Sequence, residues 1–188
     1  MKTDEEFELN YSQKKILLAL ARNSITQYLN SKTVSLKEDI DPVLQNNLGA
    51  FVTLRKHGEL RGCIGYMQED MPLYKVVSEM ALESAFSDRR FMPLSINELP
   101  DIEIEISVLT PSKPIKNIDE IVLGRDGVVI TKNNKKAVFL PQVATEMGWN
   151  KNEFLDNLCR KAGLTPGCWH DAELRTFHAK IFQESEFK

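Results

Sequence analysis

Three cysteines, Cys63, Cys159 and Cys168, are all that 188 residues contain. An odd and small number in a chain of this length is no disulfide framework, and the sequence predicts a reduced, cytoplasmic protein. Positive charge is short as well: 24 Lys and Arg stand against 27 Asp and Glu, for a net charge of −3. That balance lacks the basic face that nucleic acid requires, so no nucleic-acid partner is expected. No apolar run approaches the roughly 20 residues that span a bilayer, so no membrane partner is expected either. The opening MKTDEEFELN is acidic and polar, unlike a signal or transit peptide.

Catalytic signatures are also missing. There is no HExxH, Walker A, GxGxxG or GxSxG, and no radical SAM cysteine triplet. Cys168-Trp169-His170-Asp171 gathers three ligand types without a partner pair, whereas zinc needs four ligands. Neither a metal nor a cofactor is therefore expected. Gly124-Arg125-Asp126-Gly127 matches a nucleotide-clamping GxxG only superficially, and a hairpin turn explains it better.

What is present is a patterned globular chain. Residues 1–8 read as a flexible N-terminus and 9–188 as a single domain. From Asn10 to Asn30, Ile16, Leu17, Leu20, Ala21, Ile25, Tyr28 and Leu29 recur at helical spacing, with Asn10 or Ser12 as the cap. Ala50–Lys56 and Glu59–Ile64 read as strands joined at His57-Gly58. Asp70-Met71-Pro72 opens a helix carrying Leu73, Val76, Val77, Met80, Ala81 and Ala85 on one stripe. Residues 102–109 alternate cleanly, with Ile102, Ile104, Ile106 and Val108 on one side and Glu103, Glu105 and Ser107 on the other. Ile121–Leu123, Val128–Thr131 and Ala137–Leu140 read as a small antiparallel unit. A short helix follows Pro141, and Asn150 with Glu153 forms a capping box for a helix ending at Gly163. Phe177, Ala179 and Ile181 alternate as a last strand. This order is no regular βαβ series, so the expected class is α+β, an antiparallel or mixed sheet flanked by helices.

At LRGCIG, residues 60–65, the chain resembles the AMMECR-one domain family. Five further blocks follow the family pattern in order: Pro72-Leu73, DRRFMPLSINEL (88–99), IEIEISVLTP (102–111), FLPQVATEMGW (139–149) and FLDNLCRKAGL (154–164). The family usually reads Asp-Pro-Arg-Phe where this chain has Asp88-Arg89-Arg90-Phe91, so the turn loses a stiffening proline. The resemblance implies two lobes, with a cleft near the LRGCIG strand and the hairpin unit at about 112–138 in the smaller lobe. It also implies partners: prokaryotic members occur in AmmeMemoRadiSam systems, beside a MEMO-like protein and a radical SAM protein. No agreed reaction or catalytic residues come with it.

The hexapeptide has its own physical content. A two-residue turn at His57-Gly58 sets Arg61 opposite Leu54 and Cys63 opposite Val52, so Arg61 and Cys63 share a face, roughly 7 Å apart. A guanidinium beside a thiol raises its reactive fraction. Gly62 and Gly65 then leave bare backbone around the sulfur; alternatively, they mark a bulge or tight packing around a core cysteine. Cys63 is the candidate catalytic thiol, with Arg61, Gly62, Gly65, Asp88, Arg90, Glu105 and Gln142 as candidate ligand contacts. Glu105 sits near the centre of its strand, Asp88 and Arg90 follow a helix end, and Gln142 lies beside helix-start amides suited to an anion. Three functions compete: a cleft binding a small anionic ligand, with or without thiol chemistry; a non-catalytic adaptor for partner proteins; and, last, a nucleic-acid binder.

Overall fold

The computed structural model describes residues 7–36 and 40–187. Its helices are α1 (Tyr11–Ser31), α2 (Leu73–Phe86), α3 (Val143–Met147) and α4 (Lys151–Lys161). Its strands are β1 (Ala50–Lys56), β2 (Glu59–Tyr66), β3 (Ile102–Leu109), β4 (Lys113–Pro114), β5 (Gly127–Lys132), β6 (Lys135–Phe139), β7 (Glu173–Phe177) and β8 (Ala179–Gln183). This is an α+β fold with two four-stranded sheets. The chain divides into two compact units, Met1–Leu109 with Lys180–Lys188, and Thr110–Ala179.

The first unit holds the sheet β2-β1-β3-β8. Antiparallel pairing aligns Val52 with Ile64 and Ile106, and Leu54 with Gly62 and Ile104. The pleat sends these side chains to one face, where α1 and α2 cover them. Burying each such Leu, Ile or Val contributes about 2 kcal/mol. Asn10 and Gln13 cap α1 reciprocally, satisfying two end donors at once. Small residues line the contact between α1 and α2: Ala21 and Ala81 are fully buried, and Ser24 Oγ meets Ser78 Oγ at 2.8 Å.

One contact fixes how closely α2 approaches β2. A Cβ on Gly62 would stand 2.1 Å from the carbonyl oxygen of Ser84. The Ser84 hydroxyl accepts from Ile64 N–H at 2.8 Å and donates to Val52 O at 2.7 Å. Helix α2 thus reaches into the β1–β2 ladder, and only a residue without a side chain leaves room for its backbone.

The second unit holds the sheet β4-β7-β5-β6. Helix α4, capped by the Asn150–Glu153 box, buries Phe154, Leu155 and Leu158 in a cluster with Val128, Ile130 and Leu174. Cys159 and Cys168 form a disulfide, which corrects the expectation of three free thiols; among the described residues only Cys63 is free. Gly163, at φ 69°, turns the chain back after α4, and this return brings two residues nine apart into bonding range.

Two further readings are corrected. Ile121–Leu123 is not a strand: Asn117 caps a 3-10 turn over Ile118–Glu120 just before it, and β4 supplies the outer strand. Phe177 and Ile181 do not share a strand, because the chain leaves one sheet for the other between β7 and β8. Phe182 is fully buried in the first core while Ile181 is 57% exposed, reversing the expected parity. Residues 1–6 of the expected flexible terminus lie outside the described residues, but Phe7 packs on the core and Glu8 pairs with Lys180.

Gly62→Ala is expected to destabilise the protein by about 3 kcal/mol or more, since strand or helix backbone must move. Gly65→Ala, which meets the Phe51 ring rather than backbone, should cost less. Urea denaturation of the two variants checks the order; equal midpoints would refute it.

Candidate functional site

Sequence reasoning placed Arg61 opposite Leu54, but the hairpin carries a β-bulge. Leu54 pairs with Gly62 and Arg55 with Leu60, so Arg61 is the extra residue. Beyond it the register slips by one, and Cys63 faces Thr53 instead of Val52. Arg61 and Cys63 consequently part company. Arg61 turns to the side of Gly62 and Lys56, where Glu98 accepts from Arg61 Nε at 3.0 Å and from Lys56 Nζ at 3.2 Å. Arg61 Nη2 also donates to Met92 O at 2.9 Å. The Arg61 guanidinium therefore staples the hairpin to residues 91–98. Arg61 holds Glu98 below the ordinary carboxylate value of 4.5, to about 2, with Ser95 and Lys56 assisting.

Cys63 lies on the sheet face away from α1 and α2, in a row across three strands: Cys63, Thr53, Glu105. Thr53 Oγ1 donates to Cys63 Sγ at 3.3 Å. Glu105 pairs with Arg55 Nε at 3.7 Å. The thiol is half-buried and Thr53 is buried. The glycines do not clear this face around the sulfur. Gly62 belongs to the helix side and meets Ser84, while the Cβ position of Gly65 is taken by the Phe51 ring at 2.2 Å. The packing alternative explains both.

Asp88 and Arg90 act on Cys63 through its backbone. Asp88 Oδ2 accepts Cys63 N–H at 3.0 Å, and Arg90 Nη2 donates to Cys63 O at 3.2 Å. The two side chains pair with each other at 2.7 Å, and Arg90 N–H donates to Asp88 Oδ1 at 3.1 Å. This second bond closes the turn 88–91, with Phe91 N–H donating to Asp88 O at 3.0 Å and Arg89 at the turn's second position. The Arg90 guanidinium holds Asp88 well below the carboxylate range, with Cys63 N–H adding to the effect. Arg90 is raised in turn by Asp88. The cation tied to Cys63 is thus Arg90, through the carbonyl oxygen, and its side chain remains 56% exposed. The Phe91 ring lies under both guanidinium groups, 5.8 Å from Arg61 and 5.6 Å from Arg90.

Gln142 belongs to the second unit. It precedes α3 and makes no side-chain capping bond, and its carbonyl accepts from Thr145 Oγ1 and Glu146 N–H. A five-residue helix aligns too few peptide dipoles to hold an anion strongly. Thr53, Glu98 and Ser84 were missed as site-building residues. Ser95…Glu98 is legible as a capping box, but that pattern gives no hint that the same carboxylate receives Arg61 and Lys56. No group of three or more His, Cys, Asp or Glu among the described residues is arranged to hold a metal ion.

The family model AMMECR1 matches residues 18–182. A protein of Methanothermobacter thermautotrophicus is 42% identical over 185 residues, covering 94% of this chain and 96% of that relative. A Pyrococcus furiosus protein is 40% identical over 181 residues, covering 89% of this chain and 86% of the relative. The crystal structure of uncharacterized protein PH0010 from Pyrococcus horikoshii superposes with a TM-score of 0.80 at 36% identity, covering 95% of this chain and 94% of that one.

Glu98 and Asp88 both titrate lower in the folded protein than their ordinary values of 4.5 and 3.8. Their stabilisation is complete above those values and is lost as pH falls through the folded ones. The urea midpoint is expected to drop between pH 5 and about 2, and to drop less in Glu98→Gln, which has no proton to gain. Parallel pH profiles for the two proteins would contradict the assignment.

Proposed function

The chain belongs to the AMMECR1 family, and from that premise we propose that it binds a small anionic ligand at the Cys63 face, with the thiol as its reactive contact. The observation that carries this reading is the setting of the sulfur. One side chain hydrogen bond, from Thr53, orients it, and a half-exposed guanidinium, Arg90, is tied to the same residue's carbonyl. Arg90 attracts the anionic group, Asp88 fixes Arg90 and the strand, and Glu105 supplies a carboxylate across from Thr53. Arg61, Gly62 and Gly65 shape the strand rather than touch the ligand. The protein works in the cytoplasm.

A second reading rests on a different feature. Met92 is 80% exposed and Ile96 is 53% exposed, in the segment that Arg61 and Glu98 hold still. Ordered, exposed apolar side chains suit a protein partner. The MEMO-like and radical SAM proteins of the same gene systems are the partners proposed for it.

Two reagents separate charge from simple access. Iodoacetate is anionic and iodoacetamide neutral, and both alkylate thiols. In the folded protein Cys63 should react with both, and the iodoacetate-to-iodoacetamide rate ratio should fall several-fold in Arg90→Gln but not in Arg90→Lys. Protection of Cys63 until unfolding, or an unchanged ratio, defeats the ligand reading. The adaptor reading expects Met92→Ser/Ile96→Ser to lose co-purification with a MEMO-like or radical SAM partner while Cys63→Ala retains it; retention by both ends that reading.

A further inference from the structure

The second unit contains a cavity of about 360 Å³ lined by Ile115, Lys116, Ile118, Leu174, Trp169 and His170, among others. Trp169 and His170 form one wall, their rings stacked with centroids 3.7 Å apart. That wall sits on a 3-10 turn, Cys168–His170, which is fastened to α4. Asp156 Oδ1 accepts Gly167 N–H at 2.7 Å and Trp169 Nε1–H at 2.9 Å. Three residues along α4, on the same helix face, Cys159 is bonded to Cys168. Gly167, Cys168 and Trp169 are thus each tied to α4, two by hydrogen bonds to one carboxylate and the middle one covalently. Gly163 and Gly167, at φ 69° and 81°, bracket the returning segment and give it two points of rotation.

We propose that the Cys159–Cys168 pair is a redox latch that sets the Trp169–His170 wall of this cavity. Cys159 is fully buried and Cys168 is 6% exposed, so a dithiol reductant attacks at Cys168. Its thiolate forms a mixed disulfide with Cys168 Sγ; the Cys159–Cys168 bond breaks, and Cys159 Sγ leaves and takes a proton. The reductant's second thiolate then displaces Cys168 Sγ, which is protonated in turn. Two electrons and two protons pass to the protein, and the reductant departs as a cyclic disulfide. In the reduced form Asp156, the turn's backbone bonds, the Lys132–Asp171 pair and the packing of Trp169 on the second core are what still retain the wall, and with the covalent tie gone the segment opens more readily about the two glycines. The inference concerns the second unit alone and does not rest on the Cys63 reading.

The test is indole N–H exchange at Trp169, read by NMR on the full chain, oxidised and then reduced with dithiothreitol. Removing a crosslink over so short a loop should raise local opening, and with it exchange, by about a hundredfold. Trp149, outside the latched segment, should change little. Cys159→Ser/Cys168→Ser should exchange fast with or without reductant. Three results would overturn the proposal: exchange at Trp169 unchanged within twofold on reduction, a disulfide that resists excess dithiothreitol until the protein unfolds, or failure of the reduced pair to re-form under glutathione disulfide.

Discussion

Asp88 accepts N–H groups from a strand, from its own turn and from a guanidinium, all while nearly buried. A carboxylate so placed stays charged only because those donors replace its lost water. The interaction joins three things that the chain would otherwise leave independent: the end of α2, the turn at 88–91 and the outer edge of β2. The position of Cys63, the orientation of Arg90 and the closing of a turn that lacks proline all follow from it. Glu98 plays the matching part ten residues later, drawing Arg61 and Lys56 onto the 3-10 turn at Ile96–Asp101. Between them the two carboxylates anchor both ends of the segment that carries Phe91 and Met92.

The close approach of α2 to β2 belongs to the same construction. Gly62 admits the Ser84 carbonyl, and the Ser84 hydroxyl is spliced between Ile64 and Val52. A larger residue at position 62 would lift the helix end and carry Asp88 away from Cys63 N–H. The LRGCIG stretch is therefore in large part a packing motif. Its glycines answer to a helix backbone and to a phenylalanine ring, and its arginine answers to Glu98.

Much of the fold was legible. The alternation of Ile102, Ile104 and Ile106 gave strand and face together, because a half-buried strand has no other way to satisfy its pleat. The Asn10 and Asn150 caps were readable because capping uses residues three apart in sequence. Failures came where one residue's displacement changes everything after it. The bulge at Arg61 is invisible to any count from the turn, and it alone moves the arginine off the thiol's face. The break at His178 likewise exchanges the roles of Ile181 and Phe182. The disulfide was missed because composition speaks of cellular compartments, whereas pairing depends on how a glycine turns the chain after α4. In the candidate site, Cys63, Asp88 and Arg90 were found as residue types; their partnership through backbone atoms has no signature in sequence spacing.

The clamp on Cys63 also bears on the behaviour of the protein at high concentration. β2 is the outermost strand of its sheet, and its exposed rim is where a second chain would add by main-chain pairing. At Cys63 both main-chain groups are already engaged, one by a carboxylate and the other by a guanidinium. An ion pair here imitates the neighbour that the sheet does not have. Edge-to-edge growth into fibrils or swapped dimers is thereby blocked at the middle of the strand, without proline and without a lysine pointing inward.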